Sequence, residues 1–318
     1  MRHTVLQVMP LLPWLQEQLD ATYDVALLPS DPAEQAAFLA ARAGDFEALI
    51  TNAAVGVGND LVDALPNLRV ISSFGVGLDR LDAAHAAKRG IPIGYTPDVL
   101  NDCVADLAFG LLLDVARGLS HGDRYVRAGR WVQQAPVGLP MGRQVSHARL
   151  GIVGLGRIGR TIARRASGFE MDVRYHSRRP VADVPWTHEP TLTGLAQWCD
   201  FLVVITAGGE GTRHLVNDTV LDALGPKGYL INVSRGTVVD EAALVRALQE
   251  RRIAGAALDV FENEPRVPEA LWSLDNVVLV PHIASATVQT RQAMGQRVLD
   301  NLAAFFAGQP LPSAAPVG

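Results

Sequence analysis

The sequence predicts an α/β protein with two domains, each built around a parallel sheet that helices cover. The chain has 318 residues, and at about 100–200 residues per domain this length suggests two domains with sizeable cores. Short apolar runs alternate with helical patterns along most of the chain, which is typical of parallel sheets covered on both faces. A glycine-rich turn at Gly154–Gly159 opens a second, stronger series of the same kind.

In the first hundred residues, five short apolar runs are predicted to be buried strands. They are Val5–Val8, Val25–Leu28, Ala48–Thr51, Leu68–Ser72 and Ile91–Gly94. Helices are predicted where Ala, Leu and Glu accumulate before a glycine, as in Pro32–Ala43 and Asp79–Arg89. Asn101–Ala128 is predicted to be one long helix, and a loop rich in Gly, Pro and Gln follows it at Gly129–Gly142.

The second series is predicted to contribute six further strands. They are Leu150–Val153, Val173–Tyr175, Phe201–Ile205, Tyr229–Val233, Ala254–Leu258 and Val277–Val280. Helices are predicted at Arg157–Ser167 and Glu241–Glu250, with a long closing helix at Ser285–Ala307. The remaining residues, Gly308–Gly318, are rich in Pro and Ala and are predicted to be a frayed tail.

Composition limits the classes of partner. The chain has 28 basic and 33 acidic side chains, a net charge of −5, which argues against nucleic acid or an anionic membrane as a partner. No apolar run approaches the roughly 18 residues that cross a bilayer, and the N-terminus lacks a signal-peptide pattern. Two cysteines, Cys103 and Cys199, are too few for a disulfide framework or a structural zinc site, so no metal is expected. We therefore expect a soluble, cytoplasmic protein.

The net charge conceals an uneven distribution. Between Arg117 and Arg179 there are 13 arginines and only three acidic residues, so this segment carries +10 and the rest of the chain −15. On composition alone, an arginine-rich solvated surface and an anion-binding site both account for the segment.

The run Leu150–Arg160 has the spacing Gly154-x-Gly156-x-x-Gly159 between a predicted strand and a predicted helix. In that context the spacing indicates a dinucleotide site. The first glycine permits a tight turn, the second lets the backbone approach a pyrophosphate, and the third lets helix and strand pack closely. Amide groups and the dipole at the helix N-terminus favour the phosphate charge. The cofactor-binding residues predicted here are Gly154, Leu155, Gly156, Arg157, Ile158 and Gly159.

The residues after the next strand indicate which dinucleotide binds. An NAD site places Asp or Glu there, about 20 residues after the glycine turn, to bind the ribose 2′-hydroxyl. This chain has Tyr175-His176-Ser177-Arg178-Arg179 instead. A hydroxyl and two guanidinium groups suit a 2′-phosphate. We therefore predict NADPH/NADP as the cofactor, bound by Ser177, Arg178 and Arg179, with NADH as a weaker alternative. If no ligand binds here, the two arginines are simply solvated side chains on the surface.

Three further motifs follow predicted strands, at the strand ends where open α/β sheets bind ligands. Ile231–Gly236 contains Arg235, Ala257–Pro265 contains Glu264, and Val280–Thr287 contains His282. Taken singly, these residues could be a surface arginine, a loop acid and a histidine near a helix start. Because all three follow successive strands of one predicted nucleotide-binding sheet, a single shared site explains them better than three unrelated roles.

These motifs together resemble those of the D-isomer-specific 2-hydroxyacid dehydrogenases. The resemblance covers nearly the whole chain, including Phe74–Asp79 and Tyr95–Leu100. Within the family, the chain looks most like glyoxylate/hydroxypyruvate reductases and their hydroxyphenylpyruvate-reducing relatives. The resemblance implies two Rossmann-like domains with parallel sheets. They are a flavodoxin-like substrate-binding (catalytic) domain, residues 1–100 and 284–318, and an NADP-binding Rossmann domain, residues 101–283.

The resemblance also implies roles for individual residues. Arg235 would hold the substrate carboxylate and polarise the carbonyl, His282 would donate a proton as general acid, and Glu264 would favour the protonated imidazole. Asp259 would face the nicotinamide amide. The resemblance further implies that Val233 and Ser234 contact the cofactor. The substrate would be contacted by Arg235, by His282, and in addition by Asn52 and the backbone amides of Val76 and Gly77.

The expected function is NADPH-dependent reduction of small 2-oxo acids, glyoxylate and hydroxypyruvate, to 2-hydroxy acids. Two alternatives remain: reduction of bulkier 2-oxo acids such as hydroxyphenylpyruvate, and a non-enzymatic, nucleotide-sensing role like that of corepressor relatives. The family also implies a homodimer. Thr206–His214 stands where many relatives have proline-containing loops, so the resemblance does not extend to the detailed contacts there. Trp131–Met141 is individual to this chain, and the resemblance implies that this region of one subunit lines its neighbour's substrate pocket, so the size of that pocket is not predicted.

Overall fold

A computed structural model of the chain describes residues 2–131 and 139–317, so most of the predicted loop Trp131–Met141 lies outside the described residues. In chain order, the strands are β1 (Thr4–Gln7), β2 (Asp24–Leu27), β3 (Ala48–Asn52), β4 (Val70–Phe74), β5 (Ile93–Gly94), β6 (Arg149–Val153), β7 (Asp172–His176), β8 (Thr187–His188), β9 (Phe201–Val204), β10 (Tyr229–Asn232), β11 (Gly255–Leu258) and β12 (Val277–Leu279). The α-helices are α1 (Pro13–Thr22), α2 (Pro32–Arg42), α3 (Asn59–Ala64), α4 (Ala83–Lys88), α5 (Asn101–Arg117), α6 (Leu119–Arg127), α7 (Arg157–Ala166), α8 (Leu192–Trp198), α9 (Asp218–Leu224), α10 (Glu241–Gln249), α11 (Glu269–Trp272) and α12 (Val288–Phe306).

The chain divides into two compact units. Unit 1 comprises Met1–Leu100 and Thr287–Gly318, and unit 2 comprises Asn101–Ala286. Each unit contains one parallel sheet, which confirms the predicted α/β class. Among the described residues, no helix is both long and apolar enough to cross a membrane.

Unit 1 has a five-stranded sheet in the order β2-β1-β3-β4-β5, the flavodoxin-like order. Its strands β1, β3 and β4 are largely buried because both faces of the sheet are covered there, and Leu6, Leu49 and Ile71 are fully buried. The edge strand β2 is only partly covered, with Leu27 50% exposed, so the predicted burial of Val25–Leu28 is wrong. Helix α12 returns to this unit and packs against β4.

The predicted frayed tail after α12 is wrong. Asn301 is fully buried in α12, and its side chain donates to the Tyr95 carbonyl and accepts the Ser313 amide. The Ala315 amide donates to the carbonyl of Ile93 in β5, at 2.7 Å. The tail therefore satisfies polar groups at the edge of the sheet, and its Pro and Ala content did not reveal these contacts.

Unit 2 has a seven-stranded sheet in the order β12-β11-β10-β9-β6-β7-β8. The order reverses between β6 and β9, which is the topological switch point where such sheets bind ligands. Strand β9 is apolar along its length and β10 is apolar until its last residue, Asn232, with Leu202, Val204 and Leu230 fully buried.

The predicted single helix over 101–128 is also wrong, because α5 and α6 are separate helices. Gly118 lies between them with φ +64°, a left-handed conformation that ends α5. Asp114 then accepts the amide of Ser120 at 2.8 Å, which satisfies a free donor at the start of α6.

Candidate active site

The glycine turn joins β6 to α7 at the switch point of the unit 2 sheet. Gly154 has φ +99°, and a Cβ there would lie 2.8 Å from the carbonyl oxygen of Ile205, just after β9. A Cβ at Gly159 would overlap the carbonyl oxygen of Gly154. Both glycines are therefore required by close backbone packing, and this packing brings the N-terminus of α7 up against the end of β9.

Gly156 has the opposite environment. It occupies the N-cap of α7 without a side-chain cap, and no atom lies within 4 Å of where its Cβ would stand. Open space in front of uncapped helix amides fits a pyrophosphate. Arg157 is exposed and Ile158 half-buried at this turn, whereas the Leu155 side chain is buried, so Leu155 presents its backbone rather than its side chain.

The turn after β7 carries the predicted phosphate-binding residues. Arg178 and Arg179 are exposed, and across residues 2–131 and 139–317 neither side chain has a hydrogen-bonding or ion-pair partner. The Ser177 hydroxyl donates to the carbonyl of Arg179 at 2.7 Å, which leaves its lone pairs available. Two unpaired guanidinium groups on one short turn fit a 2′-phosphate and not a ribose diol alone.

Asn232, the last residue of β10, shapes the turn that carries Arg235. Its side-chain oxygen accepts the amide of Ser234 at 3.1 Å and the Ser234 hydroxyl at 2.8 Å, while its amide donates to the Arg235 carbonyl at 3.0 Å. The Arg235 guanidinium donates to the Ser234 carbonyl at 2.8 Å. The side chains of Val233 and Ser234 are buried, and the contact of these residues with the cofactor stays a prediction. The sequence reasoning missed Asn232, although an Asn that ends a buried strand before a turn is a recognisable signal.

His282 and Glu264 form a direct pair. The Nδ1 atom of His282 lies 2.8 Å from Oε2 of Glu264, and Oε1 of Glu264 accepts the Phe261 amide at 3.1 Å. Burial acts to raise the pKa of Glu264, but the hydrogen bonds from His282 and Phe261, with the charges of His282 and Arg235, lower it overall. A charged Glu264 accepts a hydrogen bond from the Nδ1–H group of His282, which leaves Nε2 of His282 available for a substrate.

His282 is held on the sheet edge by Asp259. The His282 amide donates to the Asp259 carbonyl at 2.9 Å, and His282 itself has φ +51°. Both carboxylate oxygens of Asp259 accept backbone amides, from Ile283 at 2.6 Å and from Ala284 at 3.0 Å. Burial raises the pKa of Asp259 to about 6, and these amides and the His282 charge oppose the rise. The structure thus gives Asp259 a role in shaping the His282 loop, and its contact with a nicotinamide amide stays a prediction.

Unit 1 carries the remaining predicted residues. The backbone amides of Val76 and Gly77, just after β4, have no hydrogen-bond acceptor within the part of the chain that the structure describes. Two adjacent amides without an acceptor are available to donate to a carboxylate. Asn52 uses its side-chain oxygen to accept the amides of Ala54 and Val55, at 2.9 and 2.7 Å, which leaves its amide group for a ligand.

A family model described as the NAD-binding domain of D-isomer-specific 2-hydroxyacid dehydrogenases matches residues 109–284. The chain belongs to the D-isomer-specific 2-hydroxyacid dehydrogenase family. The chain is 45% identical over 307 residues to a glyoxylate/hydroxypyruvate reductase of Arabidopsis thaliana, with 96% of this chain and 97% of that protein covered. It is 44% identical, over 96% of this chain and 97% of the relative, to a hydroxyphenylpyruvate reductase of Plectranthus scutellarioides.

A solved structure supports the same assignment. The chain matches an NADPH-dependent glyoxylate/hydroxypyruvate reductase from Sinorhizobium meliloti, crystallised with NADP and malonate, with a TM-score of 0.93 and 43% identity. That match covers 100% of this chain and 98% of the other. The resemblance inferred from the motifs is therefore confirmed.

The dehydrogenase places its charged groups at one sheet edge. Arg235 follows β10, Glu264 follows β11 and His282 follows β12, and these are adjacent parallel strands. A fixed cation and a proton donor at the same edge can bind a 2-oxo acid carboxylate and protonate its carbonyl oxygen as hydride arrives.

Proposed function

We propose that this dehydrogenase uses NADPH to reduce small 2-oxo acids, with glyoxylate and hydroxypyruvate preferred, to 2-hydroxy acids of D configuration where the product is chiral. The observation that carries the proposal is the His282–Glu264 pair at 2.8 Å on the same sheet edge as Arg235. The unpaired Arg178 and Arg179 in the same unit support NADPH as the cofactor.

Each group has a defined task in this proposal. Arg235 binds the substrate carboxylate and polarises the carbonyl, because a guanidinium offers two parallel donors to oxygen. Bound NADPH supplies the hydride that adds to the carbonyl carbon. His282 gives its Nε2 proton to the carbonyl oxygen, and Glu264 stabilises the charged imidazolium before that transfer. The amides of Val76 and Gly77 and the side chain of Asn52 contribute further donors to the substrate.

The comparisons support both the cofactor and the substrate class. The Sinorhizobium relative is named as NADPH-dependent and as a glyoxylate/hydroxypyruvate reductase, and the Arabidopsis relative carries the same substrate names. The Plectranthus relative is named as a hydroxyphenylpyruvate reductase at nearly the same identity, which makes bulkier 2-oxo acids the second candidate.

Initial rates with a panel of 2-oxo acids test the proposal. We expect kcat/KM for glyoxylate and hydroxypyruvate with NADPH to exceed that for hydroxyphenylpyruvate. His282→Gln should lower kcat by at least about a hundredfold, the usual scale of a lost general acid. No oxidation of NADPH or NADH with any 2-oxo acid would refute the enzymatic role, and a preference for hydroxyphenylpyruvate would favour the second candidate.

We further propose that unit 2 is the NADP-binding domain, that unit 1 is the substrate-binding domain, and that the protein is a homodimer. Helix α6 supports the dimer because Leu119 and Val126 are 56% and 51% exposed on it. The molar mass from light scattering tests this, and Leu119→Glu should shift a dimer toward monomer. We also propose a cytoplasmic location, because the chain has only two cysteines and Cys199 is a buried thiol, a cysteine usage typical of a reducing compartment. Cell fractionation tests that location.

A further inference from the structure

The two-residue strand β8 lies beside the end of β7 and exchanges side-chain hydrogen bonds with it. His176, the last residue of β7, lies with Nδ1 2.9 Å from the carbonyl of Glu189, just after β8. His188, the last residue of β8, lies with Nε2 3.1 Å from the carbonyl of Ser177, just after β7. A carbonyl only accepts, so each imidazole nitrogen is the donor. The two histidines thus connect the strand ends reciprocally.

The rings are packed as well as hydrogen-bonded. The His188 ring centroid lies 6.2 Å from that of His176, with the planes 16° apart, and 5.2 Å from that of the buried Tyr175. This packing restricts His188 to one orientation, so that its Nε2 donor faces the Ser177 carbonyl.

Tyr175 holds the other end of the same turn. The Val181 amide donates to the Tyr175 hydroxyl at 2.9 Å. The turn from 177 to 181 is therefore attached to the sheet at both ends, at Ser177 by His188 and at Val181 by Tyr175. Arg178 and Arg179 lie between these two attachments and have exposed side chains.

We propose that His188 is a positioning residue for the 2′-phosphate of NADPH, acting by holding the Ser177–Arg179 turn against the sheet. This inference rests on the proposed function, because it assumes that Ser177, Arg178 and Arg179 receive that phosphate. An exposed turn with two long arginines loses conformational freedom when it closes on an anion. A turn fixed beforehand by His188 loses less, and the gain applies only to a dinucleotide that carries the phosphate. His188 is in this sense a determinant of cofactor preference that does not itself touch the reacting atoms.

His188→Phe removes the donor and keeps an aromatic ring against Tyr175 and His176. We expect this variant to raise the Kd and KM for NADPH about fivefold, the effect of one net hydrogen bond. The kcat at saturating NADPH and the KM for NADH should change less than about twofold. His188→Gln places an amide donor at a similar distance from the backbone and should restore most of the NADPH affinity. His85→Ala, which removes a histidine–carboxylate contact with Asp63 in unit 1, is the matched control and should leave both cofactor affinities unchanged.

Tyr175→Phe gives an independent result at the other end of the turn. It deletes only the hydroxyl that accepts the Val181 amide, and the same selective loss of NADPH affinity is expected. Equal effects of His188→Phe on NADPH and NADH, or none on either, would overturn the inference.

The wild type and an Arg178→Gln variant separate this inference from the proposed function. If Arg178→Gln weakens NADPH binding and His188→Phe does not, the arginines bind the phosphate without help from His188, and only this inference fails. If the wild type shows no preference for NADPH over NADH, the proposed cofactor preference fails as well.

Discussion

The Glu264 carboxylate bridges His282 and the backbone of its own loop, with Oε2 2.8 Å from Nδ1 of His282 and Oε1 3.1 Å from the Phe261 amide. The two contacts fix both the position of the carboxylate and the side of the imidazole that it occupies. Nδ1 of His282 is therefore occupied by its hydrogen bond to Glu264, and Nε2 is the nitrogen available for proton transfer.

Glu264→Gln should reduce activity in a pH-dependent way. The variant keeps a hydrogen-bonding group but loses the carboxylate charge beside the imidazole. Because the pKa of Glu264 is lowered in the folded protein, we expect the loss of kcat/KM to be complete at neutral pH and to shrink as pH falls through that lowered pKa, where the wild-type carboxylate is protonated too. At neutral pH the loss should be about tenfold to a hundredfold. The measurement is a pH–rate profile with saturating NADPH. Glu170→Gln, which changes an exposed carboxylate beside His147, is the control, and identical profiles for wild type and Glu264→Gln would contradict the assignment.

Asp259 should make stability depend on pH. Burial raises its pKa to about 6 in the folded chain, above the roughly 3.9 expected when unfolded. Between these two pKa values the Asp259 carboxyl is protonated in the folded state and ionised in the unfolded state. The stability that this proton contributes is therefore fully present below about pH 3.9 and is lost as pH rises through about 6. Relative to Asp259→Asn, which does not titrate, the wild-type free energy of unfolding should fall by up to about 3 kcal/mol between pH 4 and pH 8. Urea denaturation at several pH values measures this, and parallel curves for the two proteins would exclude it.

The planar pair of donors of Arg235, and not only its positive charge, should be required for activity. Arg235→Lys keeps the charge and loses the planar pair of donors, so it should recover little of the activity lost in Arg235→Gln. We expect Arg235→Gln to lower kcat/KM for glyoxylate by about a hundredfold to a thousandfold, with the KM for NADPH nearly constant. Steady-state kinetics with both reactants varied separate these effects. Full recovery by lysine would indicate that charge alone suffices.

The sequence predicts local chemistry well where neighbours along the chain create it. The turn Gly154–Gly159 and the arginines at 178 and 179 depend on short-range geometry and are visible as patterns. The break at Gly118 was missed because a single glycine does not interrupt helical periodicity in the sequence. The contacts of Asn301 with Tyr95 and Ser313 are not visible either, since they join segments that are far apart in the chain.

Strand β8 shows the same limit at the cofactor site. Two residues, Thr187 and His188, are too few to give a periodic signal, and the strand exists because it completes the edge of the sheet beside β7. The hydrogen bond from His188 to Ser177 spans 11 positions, so only the folded chain reveals it.

The arginines after β7 should determine the cofactor. The double variant Arg178→Gln/Arg179→Gln should raise the KM for NADPH by about tenfold to a hundredfold, because two charge-assisted contacts with the phosphate are lost. The KM for NADH should change less than about threefold, since NADH lacks that phosphate. Arg246→Gln removes an arginine that pairs with Asp218 instead and is the control. Equal effects on the two cofactors would remove the argument for a phosphate site.

Alanine substitutions at Gly156 and Gly159 should have different effects, the first on cofactor binding and the second on stability. An added methyl group meets open space at Gly156 and backbone atoms at Gly159. At Gly156 the backbone is extended, with φ −76°, and no atom lies within 4 Å of an added Cβ. Gly156→Ala should therefore change the free energy of unfolding by less than about 0.5 kcal/mol. The new methyl group would stand in the open space before α7, so NADPH affinity should fall at least about tenfold through loss of close approach to the pyrophosphate.

At Gly159 the methyl group would overlap the Gly154 carbonyl oxygen, and backbone cannot move aside as a flexible side chain can. Gly159→Ala should destabilise the protein by about 2 kcal/mol or more, the scale of an overpacked site, and lower the melting temperature before cofactor is added. Thermal melts and NADPH titrations of both variants make the comparison. If Gly156→Ala were the less stable of the two, the space before α7 would be structural and not a ligand site, and the position of the pyrophosphate would have to be sought elsewhere on the sheet edge.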